Sequence, residues 1–204
     1  MKEINYSEVP LVVTYPSSMY DMSLEALDSE DNILAKNKGK VTMIVNVTGE
    51  CANSAQYNPI QDLYDKYKDL GFEVIAVPST DFCDDAYGPF KESNASPEHM
   101  RDHMKELYKT DLPFSKMTAI VENSGTGLPV HPFYKLVQEH NFPIKGNFEK
   151  FIINRDGTKV VRYCNSDLLD LGYNAGNRTV DSKKALQNIT NTIEAFLHEQ
   201  VESA

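Results

Sequence analysis

Cys51 stands where a reactive thiol is best placed in this chain. It follows the apolar run Val41-Thr42-Met43-Ile44-Val45-Asn46-Val47 and the turn Thr48-Gly49-Glu50, and Ala52-Asn53-Ser54-Ala55-Gln56-Tyr57 behind it opens a helical pattern. A buried strand therefore ends, and a helix begins, around a nucleophile. The first turn of a helix carries backbone N–H groups without partners and a positive partial charge, and both favour an anion. A cysteine so placed gains thiolate, its reactive form. The opposing reading is a buried, inert thiol. Glu50 also works against ionisation: at ~6 Å in water the repulsion is on the order of 0.7 kcal/mol, about half a pKa unit.

Other chemistry-bearing residues form weaker patterns. Cys83 and Cys164 complete the three cysteines, and neither makes a Cys-x-x-Cys pair, which argues against thioredoxin-type disulfide exchange. His99 and His103 are four apart on an expected helix, a spacing that holds a metal on one face. With no third ligand the pair reads as a solvated face, and no metal is expected. Gly125-Thr126-Gly127-Leu128-Pro129 lacks the lysine and strand context of a phosphate loop and reads as a surface turn.

The elements that must position Cys51 follow from hydrophobic periodicity. Residues 1–17, with Pro10 and Pro16, read as an extended N-terminal arm ahead of one domain over 18–204. Met19 to Leu34 reads as a hairpin turning at Asp28-Ser29-Glu30-Asp31. Val41–Val47 lacks strict alternation, as a strand buried on both faces does. Ile60, Leu63, Tyr64, Tyr67 and Leu70 recur at helical spacing, and Gly71 supplies the stop. Phe72 to Val77 is a second strand, expected parallel to and beside Val41–Val47, and a loop runs on to about Pro97. Ser96 as N-cap and Pro97 at the first position open a helix to Tyr108 with Met100, Met104 and Leu107 as its core stripe. Pro132 to Glu139 is a short helix. Asp156-Gly157 turns a hairpin between Phe151–Asn154 and Thr158–Tyr163. A last helix runs near 182–200. The fold class is α/β, a central mixed sheet flanked by helices.

At 204 residues the chain can bury a full core, and 41% hydrophobic with 25% charged residues is a globular balance. The net charge of −10 argues against nucleic acid and against anionic membrane surfaces. No apolar run approaches a bilayer-spanning length, the N-terminus lacks the order of a signal peptide, and an odd cysteine count does not suggest a secreted disulfide framework. A cytoplasmic location is the expectation.

Several segments together carry a resemblance. Gly39 to Val47, then Cys51, then Gln56-Tyr57, resembles the glutathione peroxidase family. So do Ser18-Met19-Tyr20-Asp21, the stretch Leu63 to Val74, and Asn147-Phe148-Glu149-Lys150-Phe151 followed by Arg155-Asp156-Gly157. The pieces span roughly residues 18 to 163 in the family's order. The resemblance implies a thioredoxin-like three-layer sandwich and a cysteine that reduces hydroperoxides, restored by glutathione or a thioredoxin-like thiol, with no cofactor.

The resemblance also implies a supporting glutamine, tryptophan and asparagine. The glutamine position falls at Asp81 and the tryptophan position at Gly146, in a chain with no tryptophan; the asparagine is present as Asn147. An ionised Asp81 accepts hydrogen bonds but donates none, and Gly146 is expected to leave an open pocket. Cys51 is therefore expected to be less activated than in a typical member, unless a protonated Asp81 donates. The helix position that carries a resolving cysteine in thioredoxin-using members is about Lys105, so Cys83, just past Asp81, or Cys164 must resolve, or an external thiol must. Glutathione would need a basic patch, and Lys36-Asn37-Lys38-Gly39-Lys40 is the best cluster, though it also reads as a solvated turn. The tetramer-forming loop is missing, so a monomer is expected. The alternative function is an inactive relative that keeps the fold to bind a partner.

Overall fold

The computed structural model describes residues 11–83, 96–122, 124, 126–140, 142–168 and 182–199. Five strands form one sheet in the order β1-β5-β4-β2-β3. They are β1 Leu11–Thr14, β2 Val41–Val47, β3 Phe72–Pro78, β4 Lys150–Ile153 and β5 Lys159–Tyr163. β2 and β3 are parallel, in register from Val41 opposite Phe72 to Val47 opposite Pro78; the other pairings are antiparallel. The helices are α1 Tyr57–Tyr67, α2 Pro97–Tyr108, α3 Pro132–Glu139 and α4 Ser182–His198.

All seven residues of β2 are buried because both faces of the sheet are covered. Val41, Met43, Val45 and Val47 pack with Tyr57, Ile60 and Leu63 of α1, Met100 and Met104 of α2, and Ile189 and Ile193 of α4. Ile44 joins the opposite core with Phe133, Tyr134 and Val137 of α3. Helices, sheet and helix thus make the expected three layers. No helix among the described residues is long and apolar enough to cross a membrane.

Local signals explain most boundaries. Ser96 caps α2 by accepting the His99 N–H at 3.2 Å, with Pro97 opening the helix. Gly71, at φ +94°, ends the 3-10 turn Lys68–Leu70 that follows α1. Gly157, at φ +82°, closes the β4–β5 turn, where a Cβ would lie 2.1 Å from Ser18 Oγ.

The structure departs from the sequence reading in several places. Within the expected arm, Leu11–Thr14 is the edge strand β1, paired with β5; residues 1–10 lie outside the described residues. Met19 to Leu34 opens with a 3-10 turn, Met19–Asp21, and the expected hairpin is confined to its tip, where Glu25 bridges Asn32 antiparallel, Ala26 N donates to Asp31 O at 2.9 Å and Ile33 N donates to Leu24 O at 2.8 Å. Asn32 limits the hairpin's length: its side chain accepts from Leu24 N at 3.1 Å and donates to Met22 O at 3.0 Å, taking the place of further ladder bonds at the open end. Leu70 and Leu107 are 61% and 50% exposed, so both fall off the core stripes expected of them.

Candidate active site

Cys51 is half-buried between β2 and the 3-10 turn Ser54–Gln56 that leads into α1. Its sulfur accepts the Asn53 N–H at 3.3 Å, and Ser54 Oγ stands 3.8 Å away. The same Ser54 Oγ accepts the Cys51 N–H at 2.8 Å, which closes the turn. Burial pushes the Cys51 thiol above the ordinary cysteine value. Hydrogen bonds from the Asn53 N–H, the Ser54 hydroxyl and the Asn147 side chain oppose the shift without reversing it. The helix-start position therefore does not yield the depressed pKa its place in the sequence suggests. The 3-10 turn separates Cys51 from α1, and desolvation outweighs the donors.

Asn147 reaches the site from the loop before β4. Asn46 of β2 clamps that loop, donating to Gly146 O at 3.0 Å and accepting Glu149 N at 2.9 Å. Between them Phe148 takes φ +72° and packs edge-on against Tyr57 at 5.0 Å. A bulky residue in the left-handed region is held there only by surrounding contacts. Tyr57, fully buried, donates its hydroxyl to Thr48 O at 3.0 Å and ties α1 back to the strand end.

Asp81 is not turned to the thiol. Its carboxylate accepts the N–H groups of Ile120 (2.6 Å) and Val121 (3.0 Å) and the Ser124 hydroxyl, so it organises the 120–124 segment. The place beside Gly146 is not open either. A Cβ there would lie 2.5 Å from Asn165 Nδ2, so the Asn165 amide fills that volume.

Gln56 anchors the floor of the site. Fully buried, it donates to Asn53 O (3.3 Å) and Asn165 O (2.6 Å) and accepts from Lys150 Nζ (2.6 Å) and Leu168 N (3.1 Å). Lys150 also donates to Cys164 O at 2.9 Å, and burial brings its pKa down to about 8. Next to it, Glu149 and Arg162 form a buried ion pair at 2.6 Å. Cys164 belongs to this floor: burial and the nearby Asp167 push its thiol up to about 12. Cys83 lies elsewhere, its sulfur 2.9 Å from Thr48 Oγ1 at the end of β2, while Phe82 O accepts Asn147 Nδ2 at 3.3 Å. The structure thus brings Cys83 and Asn147 to the Cys51 side and leaves Asp81 and Cys164 in supporting frames.

The remaining candidates find other partners. His99 meets its own N-cap Ser96, and His103 Nε2 stands 3.1 Å from Glu50 Oε2, linking α2 to the Cys51 turn. Lys36, Lys38 and Lys40 pair with Asp31, Asp21 and Glu73. Gly125, and residues 84–95 of the loop after Cys83, lie outside the described residues. The sequence reading missed Asn53, Asn165 and Lys150. Only Lys150 left a signal, a lysine opening the apolar stretch Phe151-Ile152-Ile153.

Comparison with known proteins gives this arrangement a setting. The family model described as glutathione peroxidase matches residues 19–137. The chain is 33% identical over 150 residues to phospholipid hydroperoxide glutathione peroxidase 1, chloroplastic, of Arabidopsis thaliana, across 72% of this chain and 59% of that one. It is 31% identical over 153 residues to the glutathione peroxidase homolog BsaA of Staphylococcus epidermidis, across 74% and 90%. The crystal structure of T. cruzi GPX1 superposes with a TM-score of 0.60 at 22% identity, covering 89% of this chain and 97% of that one, a likeness of fold.

Proposed function

The chain belongs to the glutathione peroxidase family, with its thioredoxin-like fold, and from that premise we propose that Cys51 is its peroxide-reactive residue. The protein is a thiol peroxidase acting on hydroperoxides. The observation that carries the Cys51 reading is the set of donors on its sulfur: Asn53 N–H, Ser54 Oγ and the Asn147 side chain.

In the first step the Cys51 thiolate attacks the terminal oxygen of the hydroperoxide. The S–O bond forms, the O–O bond breaks, and the alkoxide or hydroxide leaves and takes up a proton as alcohol or water. Sulfur is oxidised to the sulfenic acid by two electrons and the peroxide is reduced by two. A thiol then attacks the sulfenic sulfur and water departs. Cys83 is the internal candidate for this step, supported by its position against Thr48 at the end of the Cys51 strand. Cys164 is less suited, because its raised pKa keeps it a thiol at neutral pH. The pairing of Lys36, Lys38 and Lys40 with carboxylates supports a thioredoxin-like dithiol over glutathione as the external reductant. A monomer is the proposed assembly, checked by sedimentation.

One observation favours the second reading, an inactive partner-binding relative: the net upward shift of the Cys51 thiol. Peroxide consumption with a thioredoxin system, followed for the unmodified protein, Cys51→Ser and Cys164→Ser, separates the two. The peroxidase reading expects loss of turnover in Cys51→Ser only. An unmodified protein that consumes no peroxide supports the binding relative. A Cys51–Cys83 linked peptide after one equivalent of peroxide supports internal resolution; a mixed disulfide on Cys51 with Cys83 free rules it out.

A further inference from the structure

Among the described residues, two amide oxygens are buried without a hydrogen-bond partner on side chains of the Cys51 site: Oδ1 of Asn53, two residues from Cys51, and Oδ1 of Asn147, whose side chain bonds the Cys51 thiol. The other end of each amide fixes which atom is the oxygen. Asn53 Nδ2 donates to the backbone carbonyl of Asn147 at 3.2 Å, and Asn147 Nδ2 donates to that of Phe82 at 3.3 Å. A flipped amide would set oxygen against oxygen. Asn147 is only 3% exposed. Buried acceptors are almost always paired, so two orphans at one thiol point to a partner that brings donors.

The division of labour around the sulfur narrows that partner. The N–H of Asn53 and the hydroxyl of Ser54 are on the sulfur side, where they suit a thiolate. The orphan oxygens suit the opposite, an O–H or N–H. The peroxidase reading, on which this inference rests, delivers one such group to Cys51: the terminal hydroxyl of the hydroperoxide. That hydroxyl is the same before and after reaction. It leaves the O–O bond and becomes the O–H of the Cys51 sulfenic acid, while the other oxygen departs as alkoxide and is protonated to alcohol.

We propose that Asn53, together with Asn147, forms the acceptor pair that holds the transferred hydroxyl, first on the hydroperoxide and then on the Cys51 sulfenic acid. Asn53 is then an orienting residue. Accepting the O–H turns the hydroxyl-bearing oxygen toward sulfur and the substituted oxygen away. The same bond steadies the sulfenic acid until a thiol arrives. Hydrogen peroxide, with an O–H on each oxygen, offers one donor to each orphan, whereas an alkyl hydroperoxide has a single O–H.

The test uses the full-length protein carrying Cys83→Ser and Cys164→Ser, so that no internal thiol consumes the intermediate. One equivalent of hydrogen peroxide is added, and Cys51 sulfenic acid is trapped at intervals with dimedone and read by intact mass. Asn53→Leu is expected to slow oxidation and shorten the sulfenic lifetime, each about tenfold. Asn53→Asp keeps an acceptor while losing the Nδ2 donor to the Asn147 carbonyl, and is expected to retain the lifetime. If Asn53→Leu does not fold, Asn53→Ala takes its place. A lifetime unchanged in Asn53→Leu overturns the proposal. A lifetime as short in Asn53→Asp as in Asn53→Leu also overturns it, because the bond to the Asn147 carbonyl is then what matters. A parent protein whose Cys51 is not oxidised at all defeats the peroxidase reading itself, and is told apart by the absence of any dimedone adduct.

Discussion

The Asn165 amide stands where a side chain on Gly146 would have to go, its Nδ2 2.5 Å from the Cβ position. The two residues share one volume, and Asn165 is held there through its carbonyl by Gln56 Nε2 at 2.6 Å. Gly146→Ala needs only the tip of Asn165 to turn and is expected to be tolerated. Gly146→Trp needs the whole side chain to leave, and is expected to cost about 1–3 kcal/mol of stability as overpacking. Adding Asn165→Gly should recover most of that loss in a urea denaturation series. Equal stability of Gly146→Trp with and without Asn165→Gly would show that the volume is not shared.

Asp81 serves the frame of the site. Replacing it with Ala leaves the Ile120 and Val121 N–H groups without their acceptor. The expected cost is about 1–3 kcal/mol in denaturant unfolding. The reactivity of Cys51 toward peroxide per folded molecule should stay within about twofold of the unmodified protein, well short of the tenfold that a 1.4 kcal/mol contribution would bring. A change of tenfold or more would return Asp81 to the chemistry.

These two residues mark where the sequence ran out. Strands β2 to β5 and the helices were legible because their signals are local: the unbroken apolar run of β2, the Ser96-Pro97 start of α2, Gly71 and Gly157 at their stops; β1 was not, because the strand it pairs with, β5, lies far along the chain. Cys51 was legible for the same reason, as a thiol between a strand and a helical pattern. The roles of Asp81, Gly146 and Asn165 depend on contacts between segments distant in the chain, which no spacing encodes. That Asn32 confines the expected hairpin to its tip was hidden in the same way, since a side chain that bonds its neighbours' backbone looks like any turn residue in sequence. The sign of the Cys51 shift stayed open between a helix start and a buried thiol, because burial is a property of the packed core rather than of position before a helix.

Ser54 tests the donors on the thiol. Because burial holds the Cys51 pKa above its ordinary value, the rate of its oxidation by peroxide should climb with pH through neutrality into the alkaline range. Ser54→Ala removes one donor and should lower the rate at neutral pH by about three- to tenfold, shifting the pH profile upward. The linked effect on stability has the opposite trend. A thiol with a raised folded pKa contributes stability below the unfolded value, about 8.5, and that contribution is lost as pH rises through the folded pKa.

Lys150 gives a second signed prediction. Burial lowers its folded pKa to about 8, below the unfolded value of about 10.4. The folded state therefore resists protonation, and the cost of charging Lys150 is present below pH 8 and disappears as pH approaches 10.4. Lys150→Met should be most favourable relative to the unmodified protein at pH 6 to 7. That advantage should shrink by up to about 1.4 kcal/mol per pH unit across the upper window. A pH-independent difference between the two proteins would mean that the amine is not titrating in the buried floor.

The most direct test of Cys51 as the peroxide-reactive residue is peptide mapping after a single equivalent of hydroperoxide, with the reaction quenched before half conversion. Cys51 should carry the first oxidation, as a trapped sulfenic acid or a disulfide, while the Cys164 peptide stays reduced. First oxidation at Cys164 or at a methionine, with the Cys51 peptide still reduced, would contradict the assignment.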